Sequence, residues 1–252
     1  PHKAKALIDM AANAPGLQQL INEFRRGIQC EDRRWQRGGY SRGTPDPRRI
    51  AQLARGLSPR PMRRNFESIG DPAAVMLLID HSYSMRDKIS ATRSAAYGVM
   101  KALEPTKHKL AVAFFTDYLH CYGAPAGRSS RRGIFYVKEW DTPMQKCLGE
   151  TLQRISLPTG NTPLTNGVTA AVNQLFERPE KRRILVLLTD GNGGSQSATG
   201  AVLSRFVASG GATVFNVVIG GQANWREHVT LNPHAPEFCA DFLASMRKIL
   251  MA

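Results

Sequence analysis

Four short apolar runs set the terms on which this chain can fold. They are Ala74–Ile79 (AVMLLI), Leu110–Thr116 (LAVAFFT), Ile184–Thr189 (ILVLLT) and Ala212–Ile219 (ATVFNVVI). Each has strand length and is apolar almost throughout. A strand with one wet face would alternate instead, so these runs predict strands buried on both faces of a parallel sheet. Stretches with helical character separate them: Lys88–Leu103, Thr142–Ile155, Pro163–Phe176 and Gln196–Ala208, with Pro236–Leu250 as a closing helix. Gly133–Trp140 predicts one further, less buried strand. The βαβ alternation argues an α/β fold, a doubly wound, mostly parallel, Rossmann-like sheet with helices on both faces. In such sheets ligands sit at the carboxyl ends of the strands, near the point where strand order reverses.

Several classes are set aside by what the sequence lacks. The longest unbroken apolar run, Ala73–Ile79, has seven residues, against about twenty for a membrane-spanning helix. No apolar stretch of signal-peptide type follows Pro1-His2-Lys3-Ala4-Lys5. Cys30, Cys121, Cys147 and Cys239 form no C-x-x-C pair, so a zinc ribbon is not expected. Four scattered thiols fit a reducing, cytoplasmic compartment. There is no G-x-x-x-x-G-K-[ST], no H-E-x-x-H and no G-x-S-x-G. Gly191-Asn192-Gly193-Gly194 is not a dinucleotide fingerprint. No general base is poised beside a nucleophile, so catalysis by the chain alone is not expected.

Charge divides the chain. The 252 residues carry a formal +14. Residues 1–65 hold 14 Lys+Arg against 5 Asp+Glu, while residues 66–252 hold 20 against 15. The surplus is therefore nine in the first quarter and five in the rest. Residues 1–71 are expected to form a basic, partly helical accessory region ahead of a domain at 72–252. Leu17, Leu20, Ile21 and Phe24 share one helical face, Arg33–Gly43 reads as an Arg/Gly-rich loop, and Pro47–Arg55 as a second helix ended by Pro59 and Pro61.

Three segments fall at predicted strand or helix ends and bring oxygen donors together. The first strand runs into Asp80-His81-Ser82-Tyr83-Ser84. Gly160-Asn161-Thr162-Pro163-Leu164 precedes a helix, and the central strand ends in Thr189-Asp190-Gly191. Two carboxylates and three hydroxyls can thus meet above the sheet. All are hard donors of the kind Mg²⁺ takes, and Mg²⁺ keeps several waters. Carboxylates bound through water leave such an ion under-neutralised and open to an acidic side chain from a partner.

The D-x-S-x-S, G-N-T-P-L and T-D-G segments, in this order, resemble the metal-ion-dependent adhesion site of von Willebrand factor A domains. The resemblance covers residues 72–250, about 70% of the chain. It implies that Ser82, Ser84 and Thr162 contact a divalent metal (Mg²⁺, or another such as Mn²⁺) directly, and that Asp80 and Asp190 act mainly through waters. A narrower likeness is to the A-domain subunit of aerobic cobaltochelatase. Arg178–Leu185 running into T-D-G carries it, with Leu77–Asp80, Ser84-Met85-Arg86 and the lead-in from Trp35 to Arg55. The T-G-N-T-P-L segment is more similar to the D subunit of magnesium chelatase. Tyr83 departs from the glycine common between the two serines. The likeness implies a hexameric AAA+ ATPase of the MoxR type as partner, with this chain as a protein-interaction module.

Plainer roles stand beside these. Asp190 and Ser82 could cap the helices that follow them. His81 and Tyr83 flank the site and could contact a partner, but read rather as packing or solvent residues; Asp117 could support the metal ligands, but reads rather as a turn residue. His108, His120, His228 and His234 show no ligand spacing, and the Trp225–His228 loop could join the binding face. The rival function is nucleic-acid binding, as in A-domain proteins of the Ro type. Trp35 and Tyr40 among the arginines of residues 1–65 suit a single strand. An extracellular adhesion domain is disfavoured by the lack of a signal peptide and of a disulfide pattern.

Overall fold

The computed structural model describes residues 2–13, 17–18, 21–22, 34–40, 42, 44–56, 60–67, 72–104, 106–116, 134–155, 160–193, 195–221, 228–231 and 241. The chain forms two compact units, one of residues 1–25 with 71–252 and one of residues 26–70. The first 25 residues cluster with the larger unit. Helix α1 (His2–Ala12) packs there, and Ala11, Leu17 and Ile21 are buried. Leu20 and Phe24 lie outside the described residues.

In the larger unit a six-stranded sheet runs in the order β6-β5-β4-β7-β8-β9. The strands are β4 (Ala73–Asp80), β5 (Lys109–Phe115), β6 (Phe135–Lys138), β7 (Arg182–Thr189), β8 (Ala212–Ile219) and β9 (His228–Leu231). All neighbours pair in parallel except β5 and β6. Every residue of β4 is buried, as expected of a central strand covered on both sides. One face packs Met76, Leu78, Leu185, Leu187, Val214 and Val218 under α5 (Leu164–Phe176) and α6 (Gln196–Ala208). The second helical layer is α3 (Ile89–Leu103) and α4 (Met144–Arg154), with α1 against both.

Small differences from expectation have local causes. The helix expected from Lys88 begins at Ile89, because Tyr83–Lys88 forms a 3-10 turn first. His228 opens strand β9 rather than ending a loop, since it pairs with Asn216. Of the expected closing helix 236–250 only Asp241, which is helical, is described.

The described residues of the smaller unit form a three-stranded sheet, order β1-β3-β2, with one helix. They comprise β1 (Arg34–Tyr40), β2 (Thr44–Pro45), α2 (Pro47–Ala54) and β3 (Met62–Glu67). The expected loop at 33–43 is therefore corrected: most of it is a strand. Antiparallel pairing with β3 overrides the low strand propensity of its Gly-Gly pair, and the register shifts between Gly38 and Tyr40.

Candidate metal centre

Parallel pairing of β4 with β7 in close register sets Asp80 and Asp190 at neighbouring strand ends. Both are buried, as are His81 and Ser82. A buried carboxylate must find donors, and Asp80 has two: Ser82 N–H at 2.9 Å on Oδ1 and the Thr189 hydroxyl at 2.7 Å on Oδ2. Burial pushes its pKa up to about 6 from 3.8; the bonds from Thr189 and Ser82 oppose this, and the charge of Asp190 adds to it.

Asp190 is held differently. Its Oδ1 accepts from Asn192 N–H at 3.0 Å. Its Oδ2 accepts from Lys88 Nζ at 2.9 Å and from Asn192 Nδ2 at 3.2 Å. Ser84 also bonds to this carboxylate. Burial raises its pKa, but the bonds from Ser84, Lys88 and Asn192 and the charge of Lys88 outweigh it, so the net shift is downward. Ser82 Oγ lies 3.0 Å from Ser84 Oγ. A continuous chain of polar contacts thus runs from Thr189 through Asp80, Ser82 and Ser84 to Asp190 and Lys88.

The third segment joins through the backbone. Gly160 C=O accepts from Tyr83 N–H at 3.1 Å. Thr162 packs on Gly193, whose φ is +114°, and a Cβ there would lie 2.6 Å from Thr162 Cβ. A Cβ on Gly221 would come 1.6 Å from Asp190 O, so the turn after β8 presses on the same loop. Only glycine allows either approach. The structure thus networks Asp80, Ser82, Ser84 and Asp190 and packs Thr162 on Gly193, three residues beyond Asp190.

Helix capping does not account for these residues. Ser82 stands at the N-cap of the 3-10 turn but makes no side-chain cap bond. The cap of α6 is Ser195, which accepts from Ala198 N–H, not Asp190. The plainer reading does hold for His81. It stacks on Phe114 at 4.8 Å, lies 3.1 Å from Arg154 O through Nε2, and has its pKa lowered by burial. Tyr83 is 63% exposed at the rim, where its hydroxyl accepts from Arg86 at 3.3 Å. His108 accepts from Ala73 N–H. Asp117, His120, His234 and the side chain of His228 lie outside what is described. Sequence reasoning missed Lys88 and Asn192; a lysine at a helix start reads as solvated, and its acidic partner is 102 residues away.

The donor set fits a hard divalent cation, because every group offered is oxygen. Among the described residues no three His, Cys, Asp or Glu side chains gather as a metal cluster, so any ion here would depend on the hydroxyls.

The sequence profile of the von Willebrand factor type A domain matches residues 74–240. The chain belongs to this family. No curated protein matches it in sequence. The A domain resembles the pilus adhesin SpaC from Lactobacillus rhamnosus GG in its open conformation, with a TM-score of 0.53 and 14% identity over 72% of this chain. It also resembles the von Willebrand factor type A protein from Catenulispora acidiphila, with a TM-score of 0.50 and 17% identity over 75% of this chain. The matches span 30% and 44% of those chains, and they show the fold alone. A domains commonly bind a divalent metal and mediate protein–protein interactions. Among the described residues no helix is long and apolar enough to cross a membrane.

Proposed function

We propose that this A domain is a metal-dependent protein-interaction module. The observation that carries the reading is the joining of Asp80, Ser82, Ser84 and Asp190 in one polar network at adjacent strand ends. Ser82, Ser84 and Thr162 would hold Mg²⁺, or Mn²⁺, with Asp80 and Asp190 supporting it through waters. The ion, when bound, supplies a Lewis-acid position for a carboxylate of the partner. Thr189 and the Ser82 amide orient Asp80, Asn192 orients Asp190, and exposed Tyr83 shapes the rim. The chelatase likeness nominates a MoxR-type AAA+ ATPase as that partner, with this chain coupling the ATPase to a client. The test is capture of a MoxR-type AAA+ ATPase from the same organism, with Mg²⁺ and with chelator. Capture is expected only with Mg²⁺ and only by the parent. Metal-independent capture, or full capture by Asp80→Ala, sinks the reading.

A second reading concerns the smaller unit. Residues 26–70 carry eleven arginines, no lysine and four acids, a surplus of seven. In the β1–β3 register Trp35 stands opposite Phe66 and Arg37 opposite Arg64. An aromatic pair of positions is thus followed, two residues on, by an arginine pair. Arginine pairs with phosphate bidentately and stacks on bases, which lysine does not do. This pattern supports single-stranded nucleic acid as a ligand of that unit. Fluorescence anisotropy with an oligouridine at about 50 mM salt should give binding with a steep salt slope, weakened by Arg37→Ala with Arg64→Ala. An absence of binding rejects it.

A further inference from the structure

The one cation inside the described network is supplied by the chain itself. Lys88 ends the 3-10 turn that begins at Tyr83, so a single six-residue turn delivers both the Ser84 hydroxyl and the Lys88 ammonium to Asp190. The Asp190 side chain is 0% exposed and that of Lys88 14%. With Nζ at 2.9 Å from Oδ2 this is a close ion pair at the inner end of the site. Asn192 adds two bonds to the carboxylate, to Oδ1 through its backbone and to Oδ2 through its side chain.

We propose that Lys88 is an internal counter-ion that competes with the divalent metal for Asp190, giving the site a lysine-closed state and a metal-bound state. The proposal rests on the metal reading above and adds a mode of regulation to it. A carboxylate buried this deeply needs a compensating charge, and without metal the lysine supplies it. A dication served by the same carboxylate repels the ammonium, and the bonds from Lys88, Asn192 and Ser84 together take up the four acceptor directions of the Asp190 carboxylate. Lysine can yield, because its charge rides on a flexible four-carbon stem. Its exit is short, since the turn it ends lies at the rim with Tyr83, Ser84 and Arg86 exposed. A lysine that only braced the fold would make a different prediction. Removing it would then leave metal affinity unchanged or weaken it.

The test uses the full chain as Lys88→Met, which keeps the stem and drops the charge. Calorimetric titration of chelator-treated protein with Mg²⁺ or Mn²⁺ should show at least tenfold tighter binding by Lys88→Met than by the parent. Metal should also raise its thermal midpoint further. Equal or weaker binding by the folded variant overturns the proposal and leaves the metal site standing. Binding of neither ion by parent or variant overturns both. A measurement on the parent guards against a variant that fails to fold. An amine-reactive ester, read by peptide mass spectrometry, should label Lys88 several-fold faster at saturating Mg²⁺ than in chelator. An unchanged rate also overturns the proposal.

Discussion

The two ends of the six-stranded sheet handle charge in opposite ways. At the amino end Arg178 grips Glu180 with two bonds of 2.9 and 2.8 Å and stacks on Trp140 at 5.0 Å. Lys109 pairs with Asp141 at 2.9 Å, and Arg183 lies over the Phe176 ring at 5.7 Å. Glu180 and Asp141 there each have a cation beside them. At the carboxyl end two buried carboxylates stand near one ammonium and two linked serine hydroxyls. Closed pairs hold a surface together, whereas an excess of buried oxygen donors holds a place for a cation. On the proposed function the same sheet has a structural end and a binding end, and the difference can be read charge by charge.

Breaking the binding end should have the largest effect. Asp190→Ala strands the Lys88 ammonium and removes the acceptor of Ser84 and Asn192. Stability is expected to fall by about 3 kcal/mol in chelator, measured by urea denaturation, and metal binding should vanish. A loss no greater than that of a surface substitution would mean that the Lys88–Asp190 pair does not matter to the fold.

At the structural end Arg178→Ala should cost less, about 1 kcal/mol, and leave metal affinity as it was. The Glu180 carboxyl is lowered chiefly by its bond to Arg178. A lowered carboxyl stabilises the fold above its unfolded pKa and loses that contribution as pH falls through the folded value. Arg178→Ala should therefore narrow its stability gap to the parent in acid. A gap that holds constant from pH 7 to pH 3 would contradict this.

Asp80 sharpens the contrast because its sign is reversed. Its folded pKa, about 6, lies above the ordinary 3.8. The folded state then favours the proton, so this contribution is full below the unfolded pKa and lost as pH rises through the folded value. Between pH 5 and pH 7.5 chelator-treated Asp80→Asn should gain on the parent by about 1 kcal/mol. The same comparison in Mg²⁺ should favour the parent. The smallest effect belongs to Lys109→Ala, whose pair is exposed, and no resolvable shift in thermal midpoint is expected.

How much of this was legible in the sequence follows the same division. Strands β4, β5, β7 and β8 are buried on both faces, so their apolar runs announce them. The donor residues Asp80, Ser82, Ser84, Thr162 and Asp190 could be placed because each follows a recognisable strand or precedes a recognisable helix. Strand β1 was hidden, since Arg-Gly-Gly has no strand pattern of its own and pairs only through β3. Helix α1 gave little sign of belonging with α3 and α4, a contact fixed by tertiary packing. Lys88 was invisible as a site residue for the same reason: its partner lies 102 residues on, past β5, β6 and β7 in sequence.

The central claim is that the carboxyl end of the sheet is a built divalent-cation site. Titrating chelator-treated protein with Mn²⁺, read by electron paramagnetic resonance, tests it most directly. One ion per chain is expected for the parent and for Arg178→Ala, and none for Ser84→Ala combined with Asp80→Asn. Absence of binding by the parent, or undiminished binding by the double variant, would contradict it.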